Sequence, residues 1–167
     1  NTGASDIWGV SSAGLANRWV HVAAVFTNGD ARTSKLYIDG VEQTLSQRLG
    51  STGAGSVTQN ARISGWAVGV PQNYAFDGLI DEVEVFNREL TGSEVQTIYN
   101  ARSGGHCSAC SIPGANMVAW WRGEDNGLDS VGTNHATLLS GAAFGPAMVS
   151  RGFVLDGTNN YLRIPAS

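Results

Sequence analysis

From Leu79 to Phe86 the residues alternate in character, with Leu79, Asp81, Val83 and Val85 on one side of an extended chain and Ile80, Glu82, Glu84 and Phe86 on the other. That period predicts a strand with one dry face. It also sets Asp81 among valines, where a carboxylate needs a hydrogen bond, a counter-charge or a metal, because ionised and alone it costs several kcal/mol. Just beyond, Thr91-Gly-Ser-Glu94 has the Thr-x-x-Glu spacing of a capping box, and Val95, Ile98 and Tyr99 give a short helix one apolar stripe. A strand running directly into a small capped helix leaves few fold classes open.

The remaining segments read as strands and turns. Trp19 to Phe26 is apolar on both alternating sets, which predicts a central strand covered on both faces, with His21 as a core histidine satisfied by one hydrogen bond. Lys35 to Ile38 and Val41 to Thr44 flank Asp39-Gly40, the pair a type I′ hairpin turn demands at its two positive-φ positions. Residues 1–16 are small and polar around one candidate strand, Ile7 to Val10, and residues 45–60 read as a Ser, Gly and Thr loop. A short strand at 61–66, a loop at 68–76, strands at 117–122, 136–139 and 142–144, and a hairpin around Asp156-Gly157 within 152–164 complete an all-β reading with one short helix.

At 167 residues the chain can hold one sandwich core, or one domain and part of another. With 14% charged residues, a net charge of -4 and no basic stripe, it lacks the clustered Lys and Arg that phosphate binding needs, so nucleic acid is excluded as a partner. No apolar run approaches the ~18 residues of a membrane span. The first residue is Asn1, so a piece of a longer or processed protein is expected, and the lack of a leader says nothing about its compartment. Cys107 and Cys110 lie in the Gly- and Ser-rich segment 102–115, the best linker candidate. Cys-x-x-Cys serves redox chemistry, half a zinc site or a small disulfide. Without a second pair for zinc, or a helix start to lower a thiol pKa, a linker disulfide in a secreted protein is the expectation.

Four stretches together resemble the laminin-G-like, concanavalin A-like jelly-roll modules of large secreted and surface bacterial proteins. They are Asn17-Arg-Trp-Val-His-Val-Ala-Ala24, Leu36-Tyr-Ile-Asp-Gly-Val41, Phe76 to Leu90, and Val118-Ala-Trp-Trp-Arg-Gly-Glu124 leading to Phe153 to Pro165. In such modules the Trp-Trp-Arg-Gly element opens the fold and the Ile-Asp-Glu-Val strand and helix close it, whereas here the closing part occupies 1–101 and the opening part 116–167. The resemblance thus implies the end of one repeat joined to the start of the next, forming a permuted and incomplete antiparallel β-sandwich. Because first and last strands lie side by side in that fold, 117–122 is expected to pair with 79–86 of the same chain. A short flexible tether, with an effective concentration of roughly millimolar, favours that pairing over exchange between chains.

The resemblance further implies a non-catalytic module at the cell surface or outside the cell, binding a carbohydrate or glycoprotein beside neighbouring repeats of its parent protein. A structural or adhesive repeat with protein contacts alone is the alternative, and a glycoside hydrolase a third. Related sandwiches include glucanases, and Glu82 and Glu84, two apart on one strand, can meet the ~5 Å spacing of a retaining pair. Aromatic and amide groups in the loops at one end, Trp66, Asn73, Tyr74, Asn160 and Tyr161, are the candidate ligand contacts, each with the competing reading of a core or turn residue. Asp129, Asn134 and carbonyls up to His135, with Asp81 from the adjacent strand, form a hard-oxygen set that suits Ca²⁺. The same residue types also serve as turn formers without a metal.

Overall fold

The structure, a computed structural model, describes residues 7–26, 30–49, 61–65, 75–101 and 116–165. In chain order the elements are β1 (Ile7–Gly9), β2 (Val22–Val25), β3 (Lys35–Ile38), β4 (Val41–Glu42), β5 (Ser46–Leu49), β6 (Ala61–Ile63), β7 (Asp77–Ile80), β8 (Val83–Phe86), the helix α1 (Gly92–Ala101), β9 (Met117–Trp121), β10 (Thr137–Leu139), β11 (Ala143–Pro146), β12 (Arg151–Asp156) and β13 (Tyr161–Ile164). Every pairing between them is antiparallel. The all-β class with one short helix is therefore as the alternation predicts. The chain divides into two compact units, Asn1–Val57 with Arg88–Arg102, and Thr58–Asn87 with Ser103–Ser167.

The first unit holds the sheet β2-β3-β4, the pair β1-β5 and α1. Asp39 and Gly40 have φ of +51° and +78°, the two left-handed residues a type I′ turn needs, and Ile38 faces Val41 across it. A side chain on Gly40 would strike the Gln96 amide. β2, by contrast, is not a central strand. Among the described residues it pairs with β3 alone, and Val22 and Phe26 are 60% and 84% exposed. A doubly apolar run reports what could be buried; whether a second layer lies over it depends on residues distant in sequence. Ser46 to Leu49, read as loop, pairs with β1. Its polar side chains carry no period, and the pairing rests on backbone bonds that composition does not report.

Helix α1 begins on its capping box. The Thr91 N–H donates to Glu94 Oε2 at 2.8 Å and the Glu94 N–H donates to Thr91 Oγ1 at 3.3 Å. Arg88 grips the same carboxylate with both terminal nitrogens, at 3.0 and 2.6 Å. Arg88 and the Thr91 donors hold the Glu94 carboxyl down at about 2. Val95, fully buried, anchors the helix, and Tyr37 is the other buried apolar residue among the described residues of this unit. Thr91→Ala is expected to cost about 1 kcal/mol and Thr91→Ser much less, read as the urea midpoint and as faster amide exchange through the first turn of α1.

The second unit contains the sheets β10-β13-β6 and β11-β12-β7 and the ribbon β8-β9. Each strand from residues 61–86 is paired with one from 117–164: β6 with β13, β7 with β12, and β8 with β9 in the register Val83↔Trp121, Glu84↔Trp120 and Val85↔Ala119. The core is Ala119, Trp121, Phe153, Leu155, Leu162 and Ile164, with Ile63, Ile80, Val83 and Phe144 packed against it. Residues 153–164 are not a hairpin. β12 and β13 belong to different sheets, so the chain crosses the core between them, and both contribute inward side chains. An Asp-Gly turn marks a reversal of direction; it does not determine which strand becomes the partner.

The alternation from Leu79 to Phe86 is also interrupted. β7 ends at Ile80 and β8 starts at Val83, and between them Glu82 has φ of +52°, in the left-handed region that non-glycine residues seldom occupy. The break reverses the inward side: Ile80 and Val83 both pack on the core, while Leu79 is 37% exposed. Here the chain leaves β12 as its partner and joins β9, so Asp81 does not stand in a row of inward valines.

Candidate functional site

Most of the polar groups singled out by sequence that fall among described residues lie in the second unit. Trp66, Asn73, Tyr74, Cys107 and Cys110 lie outside the described residues, and the ligand and disulfide assignments made for them stay there.

The oxygen-rich loop 123–135 is organised by Asp129, which is 6% exposed. Its Oδ1 accepts the backbone N–H groups of Trp120, Val131 and Gly132 at 2.9–3.0 Å, and its Oδ2 accepts that of Asn134 at 3.2 Å. Burial pushes this carboxyl up, but the four amides outweigh it and hold the group below its ordinary value. A Cβ on Gly132 would sit 2.8 Å from Oδ2, so the loop closes only with glycine there. The Asn134 carbonyl accepts the Trp121 indole N–H at 2.8 Å, and His135 Nδ1 accepts the Asp129 N–H at 3.1 Å. Asp81 Oδ2 accepts the Val149 N–H at 2.7 Å. The donors proposed for Ca²⁺ are thus directed at the backbone and at an indole. No group of three or more His, Cys, Asp and Glu among the described residues is arranged to hold a metal ion. Asp81, Asp129 and His135 are not brought together as such a group.

A second cluster surrounds Trp120. Glu84 is directly opposite it in the ribbon, so both side chains leave on the same face, and Glu82 Oε2 accepts its indole N–H. The Arg122 guanidinium lies 5.2 Å from the Trp120 ring centroid. Burial pushes Glu82 up to about 7; the Trp120 bond and Arg122 oppose this, and Asp81 and Glu124 add to it. Burial also pushes Glu84 up to about 7, with the Glu82 charge adding. Asp81 is raised chiefly by burial, against backbone N–H groups that favour its charged form. Glu82 and Glu84 do not share one continuous strand, since Glu82 sits in the break before β8. Sequence reasoning located the two glutamates but missed Trp120, Arg122 and Glu124 as their surroundings. Their spacing of two along the sequence was the available signal.

At the 156–161 turn, Asn160 is 4% exposed, and its Oδ1 accepts the Asp156 N–H at 2.9 Å, so its amide closes the turn and does not face solvent. Tyr161 is half-buried beneath Arg62, whose guanidinium carbon lies 4.5 Å from the ring centroid. Arg62 is in turn directly opposite Arg163 across the β6-β13 pair. An aromatic ring and two guanidinium groups therefore share the outer face of the sheet β10-β13-β6, outside the core formed by Leu162 and Ile164.

No curated protein matches the chain significantly, and no solved structure does. A laminin G family model, described as "Concanavalin A-like lectin/glucanases superfamily", matches residues 1–96. That match covers more than half of the 167 residues and takes in both glutamates of the ribbon and the start of the capped helix. Together with the antiparallel sheets and the single short helix, it establishes that this chain belongs to the concanavalin A-like lectin/glucanases superfamily.

Proposed function

We propose that this chain is a non-catalytic, lectin-like module of an extracellular or cell-surface protein that binds a carbohydrate or the glycan of a glycoprotein. Superfamily membership fits a lectin-like or adhesive module, and no helix among the described residues is long and apolar enough to cross a membrane. The observation that carries the sugar reading is the Tyr161 ring braced by Arg62, with Arg163 directly opposite, on an outer sheet face. A ring held in place loses little conformational freedom on binding, and planar guanidinium groups donate to hydroxyl and carboxylate oxygens in the fork geometry that sugars present.

A glycan array spanning neutral and acidic glycans, run in Ca²⁺ and in EDTA, tests this. Binding that falls about tenfold or more in Tyr161→Ala, with the far-ultraviolet spectrum unchanged, is the expected result. A blank array would shift the assignment to an adhesive repeat with protein contacts. One observation favours a different reading, that of a glycoside hydrolase: the raised carboxyls of Glu82 and Glu84, the state a general acid needs. Hydrolysis of a β-glucan that disappears in Glu82→Gln would establish that reading and overturn the non-catalytic one.

A further inference from the structure

The ribbon β8-β9 concentrates negative charge where the fold provides little to offset it. Glu84 lies across from Trp120 and Glu82 accepts its indole N–H, while Asp81 from the break before β8 and Glu124 just beyond β9 act on Glu82 as like charges and Arg122 as an opposite one. Asp81 Oδ1, Glu82 Oε1 and Glu124 Oε1 are buried with no hydrogen-bond partner among the described residues. An ionised carboxylate oxygen so placed loses its hydration without a hydrogen bond in exchange, whereas a neutral carboxylic acid carries a far smaller penalty. The strand bearing Glu82 and Glu84 is also poorly anchored. Among the described residues β8 has β9 as its sole strand neighbour, its register slips between Val85 and Phe86, and it enters through a residue at positive φ.

We propose that Glu82 and Glu84 form a proton-operated latch on the β8-β9 ribbon, closed on Trp120 while they carry protons and loosened when they ionise. With protons on, Glu82 still accepts the indole N–H through Oε2, and Glu84 lies neutral across from the ring. With protons off, two neighbouring charges repel each other and are repelled by Asp81 and Glu124, and separation of the strands lets water reach them.

Both carboxyls stand at about 7 in the folded chain against an ordinary 4.5, so the folded state binds more protons than the unfolded one between those values. Their contribution to stability is therefore complete below about 4.5 and lost as pH rises through about 7. His21, in the other unit, is held below 6.5 by burial and acts with the opposite sign, gaining stability as pH rises. A melting curve of the whole chain would mix the two, so the readout must be local.

Amide hydrogen exchange of residues 83–86 and 117–121, corrected for the intrinsic effect of pH and referred to the β12 amides, tests the latch. Protection of the ribbon is expected to fall about tenfold or more between pH 5.5 and 8 relative to β12, and to stay high at pH 8 in Glu82→Gln/Glu84→Gln. Protection that is level across this range, or that falls equally in the double variant, would overturn the proposal. Should the double variant not fold, Arg122→Gln provides the second test. Removing the cation that favours the ionised form must move the midpoint of the loss to higher pH, and a midpoint that stays or moves down overturns the latch.

Discussion

Asp129→Ala should destabilise the second unit by about 3–5 kcal/mol, the largest effect expected of any polar substitution in this chain. One carboxylate satisfies four backbone N–H groups at once, those of Trp120, Val131, Gly132 and Asn134, and alanine would leave them without an acceptor. Those bonds tie loop 123–135 to β9, and β9 supplies Trp121 and Ala119 to the core, so the damage does not remain in the loop. Asp129→Asn keeps one acceptor oxygen and should cost about half as much. Urea unfolding followed by tryptophan fluorescence reads both, because Trp120 and Trp121 flank the site. A change under ~1 kcal/mol for the alanine variant would show that the loop holds without its hub. The sign with pH is also determined. The Asp129 carboxyl is lowered in the fold, so its contribution is present above the ordinary 3.8 and lost as pH falls through the folded value. The acid limb of the stability profile should flatten in Asp129→Ala.

Phe153→Ala is expected to cost a further class of interaction by a similar amount, about 3–5 kcal/mol, out of the ~5–15 kcal/mol that stabilises a domain of this size. Phe153 has no exposure and lies on the middle strand of β11-β12-β7, opposite Phe144 on one side and Ile80 on the other. The two rings lie 5.6 Å apart at a tilt of 46°, within the range where aromatic pairs attract beyond the area they bury. Both flanking strands lose a packing partner at once, and a close-packed core relaxes only partly around the cavity. Phe153→Leu, which keeps most of the volume, should cost under about 1.5 kcal/mol. The urea midpoints of the two variants test this, and equal midpoints would mean that the ring itself is not what the core depends on.

The proposed latch on β8-β9 and the proposed ligand face on β13 give these measurements a second use. Glu82→Gln removes a charge from the ribbon without touching the Tyr161 surface, and Tyr161→Ala does the converse. If binding of a glycan and opening of the ribbon are independent, each variant alters one readout alone. If Tyr161→Ala also changes ribbon protection, the two are energetically coupled through the core strands that separate them.

What could be read from the sequence were features whose chemistry is complete within a few residues. The capping box at Thr91 and Glu94 needs only a hydroxyl and a carboxylate three apart, and the turn at Asp39-Gly40 only two residues that tolerate positive φ. The strand at 83–86 announces itself by alternation and those at 35–38 and 117–121 by short apolar runs, and together these features establish an all-β chain with one helix. The tertiary structure alone decided partners and coverings, because these depend on residues far apart in the chain. It turned β12 and β13 into different sheets despite the Asp-Gly between them, left Val22 and Phe26 in water, and flipped the inward face at Glu82 where the chain exchanges β12 for β9. The same holds for Asp129: composition offers its oxygens equally to a cation or to the backbone, and only the returning path of loop 123–135 brings four amides to it. An unsatisfied buried N–H costs as much as a lost hydrogen bond, so once the loop packs against β9 the carboxylate is committed to the backbone.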